Sequence, residues 1–171
     1  MIRLLLIPVM LAAACLCAGF YGALHNQVSY TVSPEYFHGF KFTQFNIPTE
    51  LQNRWGAALV GWRASWWMGP IIGTPIVVAT LFISPIRRAF RVFLSTTLLV
   101  ICITLGIGLL ALFAGFTVIN TDFLTDLINR PGLRDPIAFA RAGWMHEFAY
   151  IGGLIGLIAG IIHVIRQARR T

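Results

Sequence analysis

The segment VFLSTTLLVICITLGIGLLALFAG, Val92–Gly115, runs for 24 residues without a charge. As a helix rising 1.5 Å per residue it reaches ~36 Å, enough to cross a hydrocarbon core of about 30 Å. No water reaches the backbone polar groups there, so a lone apolar stretch of this length crosses as a helix. Three further apolar stretches flank it, Leu4–Leu24, Trp66–Ser84 and Trp144–Ile165. Only 11% of the chain is charged and its mean hydropathy is +0.77, whereas soluble domains carry about 25% charged residues. The expectation is an all-α membrane protein: a four-helix transmembrane bundle forming one domain over residues 1–171. Residues 25–65 and 116–143 form the outer loops and 85–91 a short cytoplasmic loop.

Charge orients these spans. Arg3, Arg87, Arg88, Arg91, Arg166, Arg169 and Arg170 fall on one side with no acid. All six acids, Glu35, Glu50, Asp122, Asp126, Asp135 and Glu147, fall on the other, beside Lys41, Arg54, Arg63, Arg130, Arg134 and Arg141. Cations near span ends stay cytoplasmic, so both termini are expected there. Twelve arginines to one lysine are associated with G+C-rich bacterial genomes, which makes the membrane a bacterial inner membrane and the acidic side periplasmic. The formal charge of +7 thus answers to the lipid bilayer, and no nucleic-acid partner is implied.

The run Leu11-Ala12-Ala13-Ala14-Cys15 faintly resembles a lipoprotein cleavage site. The apolar character continues to Leu24, which favours a retained span. Cys15, Cys17 and Cys102 all lie within spans and read as small buried hydrophobes.

In the first outer loop, Val28–Val32 and Phe37–Phe45 are rich in Val, Thr, Tyr and Phe, and Phe40 and Phe42 alternate with Lys41 and Thr43. This predicts a short β-hairpin turning at Ser33-Pro34, with aromatics that either lid the bundle or dock a partner. Thr49 and Gln52 have the form of a capping box opening a helix that runs on through Trp62, Trp66 and Trp67 to Ser84. Pro70 and Pro75 bend it. In the second outer loop a short helix is expected over Asp122–Asn129, stopped at Arg130-Pro131-Gly132. Asp135-Pro136 then starts a helix that enters the fourth span.

The best chemical candidates lie at the outer level. Glu147 needs a partner at membrane depth, and Arg63 is the cation expected to pair with it. His25 and His146 share that level and are the candidates for binding a heme or metal, with His38 and Glu147 as further metal donors. No H-x-x-x-H or C-x-x-C-H spacing accompanies them, so no cofactor is the primary expectation. His163 is expected at the headgroups or at the helix C-terminal carbonyls. Thr74, Thr80, Thr96, Thr97 and Thr104 are expected to bond their own backbones. The spans hold no acid or base at mid-membrane and no nucleotide loop or nucleophile elbow is present, which disfavours transport and catalysis. Gly152, Gly156 and Gly160, with Gly69, Gly73, Gly106 and Gly108, mark faces for close helix packing.

The stretch His25-Asn26-Gln27-Val28-Ser29-Tyr30-Thr31-Val32-Ser33-Pro34-Glu35-Tyr36-Phe37, with Trp66-Trp67-Met68-Gly69 and the Gly152 stripe, resembles a group of small uncharacterised bacterial inner-membrane proteins with the same run of spans over most of the length. The resemblance implies a constrained outer loop. It brings no activity with it. The residues point to a non-enzymatic accessory or scaffold subunit that meets a membrane-protein partner, or a second copy, through the periplasmic loop and glycine faces. The alternative is a small heme- or metal-binding redox protein using the outer histidines.

Overall fold

The computed structural model describes residues 2–120, 124 and 132–170. Among these the regular elements are all helical: α1 (Ile2–Val32), α2 (Pro34–Tyr36), α3 (Phe42–Gln44), α4 (Arg54–Ser65), α5 (Met68–Thr80), α6 (Ile86–Val118) and α7 (Pro136–Ala168). Three stretches are long and apolar enough to cross a membrane: Leu6–Val32 of α1, α6 and α7. With 33 residues each, α6 and α7 reach ~50 Å and outlast a ~30 Å core. Their outward faces are apolar and bare, with Leu110 of α6 68% and Leu154 of α7 61% exposed, as lipid contact requires. The helix expected over Asp122–Asn129, and its stop at Arg130 and Pro131, lie outside the described residues apart from Leu124. Asp135 caps α7 as expected, its Oδ1 accepting from the Ala138 N–H at 2.9 Å with Pro136 at the first position.

The second apolar stretch is not one bent helix. It breaks at Trp66-Trp67, separating α4 from α5, and Pro70 falls in the first turn of α5 rather than in a span interior. The 13 residues of α5 cover only ~20 Å. Both pieces lie along α1: Gly61 meets Gly22, Trp62 packs on Gly19, Gly69 meets Cys15 and Gly73 meets Ala14. The expected capping box is also absent. Asn53 caps α4 through its side chain, accepting from the Trp55 N–H at 2.8 Å, and Gln52 instead donates to the Ile47 carbonyl.

The β-hairpin expected over Val28–Val32 and Phe37–Phe45 does not form. The first segment is the last turns of α1, and the second is a π turn, Phe37–Lys41, running into α3. Extending an existing helix adds one hydrogen bond per residue without a new nucleus, and that outweighs a weak, context-dependent strand preference. Tertiary bonds hold the extension: Asn26 donates to the Ala57 carbonyl at 2.9 Å and Gln27 to that of Arg54 at 3.0 Å. Ser33 then caps α2, accepting from the Tyr36 N–H. The Glu35 carboxylate takes the backbone N–H groups of Arg134 and Asp135 at 2.7 and 2.9 Å, tying this segment to the start of α7. Tyr36, Phe37 and Phe42 are buried against Ala57, Val60, Phe139 and Ala142, so most of the loop's aromatic mass is a lid on its own bundle.

Helices α6 and α7 run antiparallel and clasp each other at both ends. Arg141 donates to the Gly115 carbonyl at 3.0 Å at the end of α6, and Arg88 to the Gln167 carbonyl at 2.7 Å at the end of α7. Each brings a cation to helix carbonyls, where the macrodipole favours it. Between the clasps Gly152 packs on Thr104, Gly156 on Val100 and Gly160 on Thr96, so the glycine stripe is consumed inside the bundle. Thr80, Thr96, Thr97 and Thr104 bond their own helix carbonyls as expected. Gly106 faces open space and is no packing glycine. The cysteines are less buried than expected: Cys15 and Cys17 are half-buried and Cys102 is exposed. His163 meets Ser95 of α6 at 3.2 Å rather than standing alone at the headgroups.

At Gly61 an added Cβ would run into the Gly22 carbonyl and lie 2.9 Å from the Ala23 nitrogen. Gly61→Ala should therefore lower stability in detergent by ~1–3 kcal/mol or more, whereas Gly106→Ala, into open space, should be neutral or gain ~0.5–1 kcal/mol. Thermal melting of the two variants checks both, and equal melting temperatures would disprove the α1–α4 contact.

Candidate functional site

A layer of polar side chains lies between two apolar cores. Below it, Met10, Ala14, Ile76, Val100 and Val164 pack together; above it sits the lid cluster of Phe37, Phe42 and Val60. Asn26 and Ser29 of α1 and Ser33 just past its end, all buried, recur at three- and four-residue spacing. Beside them the Tyr21 hydroxyl meets His25 Nδ1 at 3.2 Å, and His146 Nε2 meets Ser29 Oγ at 3.0 Å. The His25 and His146 rings touch edge to face with centroids 4.8 Å apart, and Tyr36 stacks on His146 at 5.1 Å. One polar atom is left over: His25 Nε2 is buried without a hydrogen-bond partner. Such an atom costs free energy comparable to a lost hydrogen bond.

This layer borders a cavity of about 320 Å³. Its floor is apolar, formed by Ala14, Ile72, Ile76, Val100 and Ile101, and its polar wall is Tyr21, His25, Asn26, His146 and Tyr150. The loop after α2 contributes Lys41, Gln44 and Phe45, and the α4–α5 break contributes Ser65, Trp67 and Met68. Lys41 is thus the one cation among the lining residues, and no carboxylate lines the cavity. The π turn sets this placement. It carries one residue more than an α turn, closing with the Phe42 N–H on the Phe37 carbonyl, so Phe37 and Phe42 are both buried while Lys41 between them reaches the cavity. Its Nζ donates to Gln44 Oε1 at 3.0 Å and lies 4.7 Å from the Phe40 ring centre.

The candidate residues distribute differently from expectation. His25 and His146 do come together, but their rings touch each other and do not flank a gap in which an iron and its macrocycle would lie. His38 stands apart, 3.3 Å from the Tyr30 hydroxyl, and Glu147 is exposed. Among the described residues no group of three or more His, Cys, Asp or Glu is placed to hold a metal ion. The Arg63–Glu147 ion pair is not formed: Arg63 is exposed and donates to the Phe45 carbonyl at 3.1 Å. The cation that answers to Glu147 is Lys41. Burial pulls the Lys41 ammonium below its usual value and the Glu147 carboxylate pulls it back up. Burial, then Glu147 and Tyr150, push the Tyr36 phenol up. What sequence reasoning missed here is Lys41 itself and the Asn26, Ser29, Ser33 series. The signals were present, as the only lysine among thirteen basic residues and as small polar residues at helical spacing after Gly22.

No family model, no curated protein and no solved structure matches this chain.

Glu147 favours the charged form of Lys41, so Glu147→Gln should lower the lysine's pKa further and leave more free amine at about pH 9. Acylation of Lys41 by an amine reagent, followed by mass spectrometry in detergent, should then run severalfold faster in the variant. An unchanged or slower rate would remove Glu147 from the site.

Proposed function

We propose that this is a non-enzymatic membrane protein that binds a small amphipathic molecule in the cavity beneath its outer loop. The observation that carries the reading is the cavity's two-ended lining: an apolar floor of Ile72, Ile76, Val100 and Ile101 under a polar wall of Tyr21, His25, Asn26 and His146. Small-molecule sites have this character, a mostly apolar concavity with a few convergent polar groups. The two features from which partner docking was inferred are engaged elsewhere, the lid aromatics in the upper core and the glycine stripe in the α6–α7 contact. An accessory role therefore reads better through a bound ligand than through those faces.

In this reading α4 and α5 together make the fourth span, and the protein lies in a bacterial inner membrane with both termini cytoplasmic and the cavity toward the periplasm. The arginine distribution supports that orientation, and the run of α4 and α5 along α1 supports the fourth span. A cytoplasm-active reporter fused after Thr171 should be active, and a periplasm-active one silent; the reverse would invert the topology.

Ala18 of α1 lines the cavity, so Ala18→Phe should fill part of it. Native mass spectrometry of protein released from membranes should show a small bound molecule on the wild type and its loss from Ala18→Phe at an unchanged melting temperature. Equal occupancy in both would sink the ligand-binding reading.

A further inference from the structure

We propose that the occupant is a single-chain amphiphile with one negative charge, a fatty-acid carboxylate, held by Lys41 with its chain laid along Ile72, Ile76, Val100 and Ile101. This rests on the reading of the cavity as a ligand site and specifies its chemistry. Three observations carry it.

The first is charge. Lys41 brings a cation to a cavity that no carboxylate lines. A half-buried ammonium beside apolar surface is favoured by an opposite charge, and Glu147 lies outside the lining, exposed. An ammonium has three donors, and one is spent on Gln44, so two remain for an anionic head.

The second is the identity of the cation. Phosphate groups are matched by the arginine fork, which takes two oxygens at once. This chain has twelve arginines and none lines the cavity. One lysine, a compact point charge, suits one carboxylate.

The third is size. At about 320 Å³ the cavity sits at the small end of the ~300–1,000 Å³ range of ligand sites. That is room inside for about one chain.

The test uses the full chain in phosphatidylcholine nanodiscs, with labelled palmitate and labelled hexadecanol as probes. Wild type should bind palmitate at least about tenfold more tightly than hexadecanol, Lys41→Met should lose that preference with hexadecanol unchanged, and Lys41→Arg should keep palmitate binding within roughly threefold. Lys41→Gln, a polar replacement, should match Lys41→Met, which separates loss of charge from misfolding. Palmitate binding undiminished by both neutral variants would overturn the proposal while leaving the cavity a ligand site. Stronger competition by a neutral quinone or by a lysophosphatidic acid would overturn it in the same way. If neither probe binds, or if Ala18→Phe alters neither, the ligand-site reading falls as well.

Discussion

The outer half of this molecule depends on the close crossing of α1 and α4 at Gly22 and Gly61, where the two backbones touch. In lipid the hydrophobic effect does not press helices together, so association rests on van der Waals fit and interhelical hydrogen bonds, and both need the backbones to come close. With no side chain at either glycine, the Asn26 amide reaches the Ala57 carbonyl and Gln27 reaches that of Arg54. Those bonds carry α1 on as helix to Val32. The continued helix in turn presents His25 and Ser29 toward His146 on α7.

A polar layer between two apolar cores is an expensive construction. Each buried hydroxyl, amide or imidazole must find a partner or cost ~1–3 kcal/mol. Here the threonines return to their own helix carbonyls, Asn26 crosses to α4 and His146 crosses to Ser29, so nearly every member is satisfied. His25 Nε2 is the exception, and it belongs to a residue that lines the cavity. The lone cation on that lining, Lys41, is bonded to Gln44 and has no carboxylate beside it among the lining residues.

The lid shows how local geometry serves that site. A regular α turn places residues four apart in line, but the π turn at Phe37–Lys41 inserts one more. Phe37 and Phe42 are therefore both buried while Lys41 reaches the cavity between them. Glu35, holding two backbone N–H groups ahead of α7, anchors this lid to the opposite side of the bundle.

Sequence alone determined the long apolar helices, the Asp135 start of α7 and the shared level of His25 and His146. All follow from hydropathy, length and cap chemistry, which act within one segment. It misjudged the outer loop, because a Val, Thr and Tyr-rich stretch carries a strand preference that only neighbouring helices override. It also paired Glu147 with Arg63, since depth along a helix is legible while rotation about its axis is not. Which glycines meet a partner, why Gly106 meets none, and that the only lysine reaches the cavity were decided by tertiary structure. Each depends on how separate helices are turned and spaced against one another, and in a bilayer that is set by side-chain fit between segments distant in the chain.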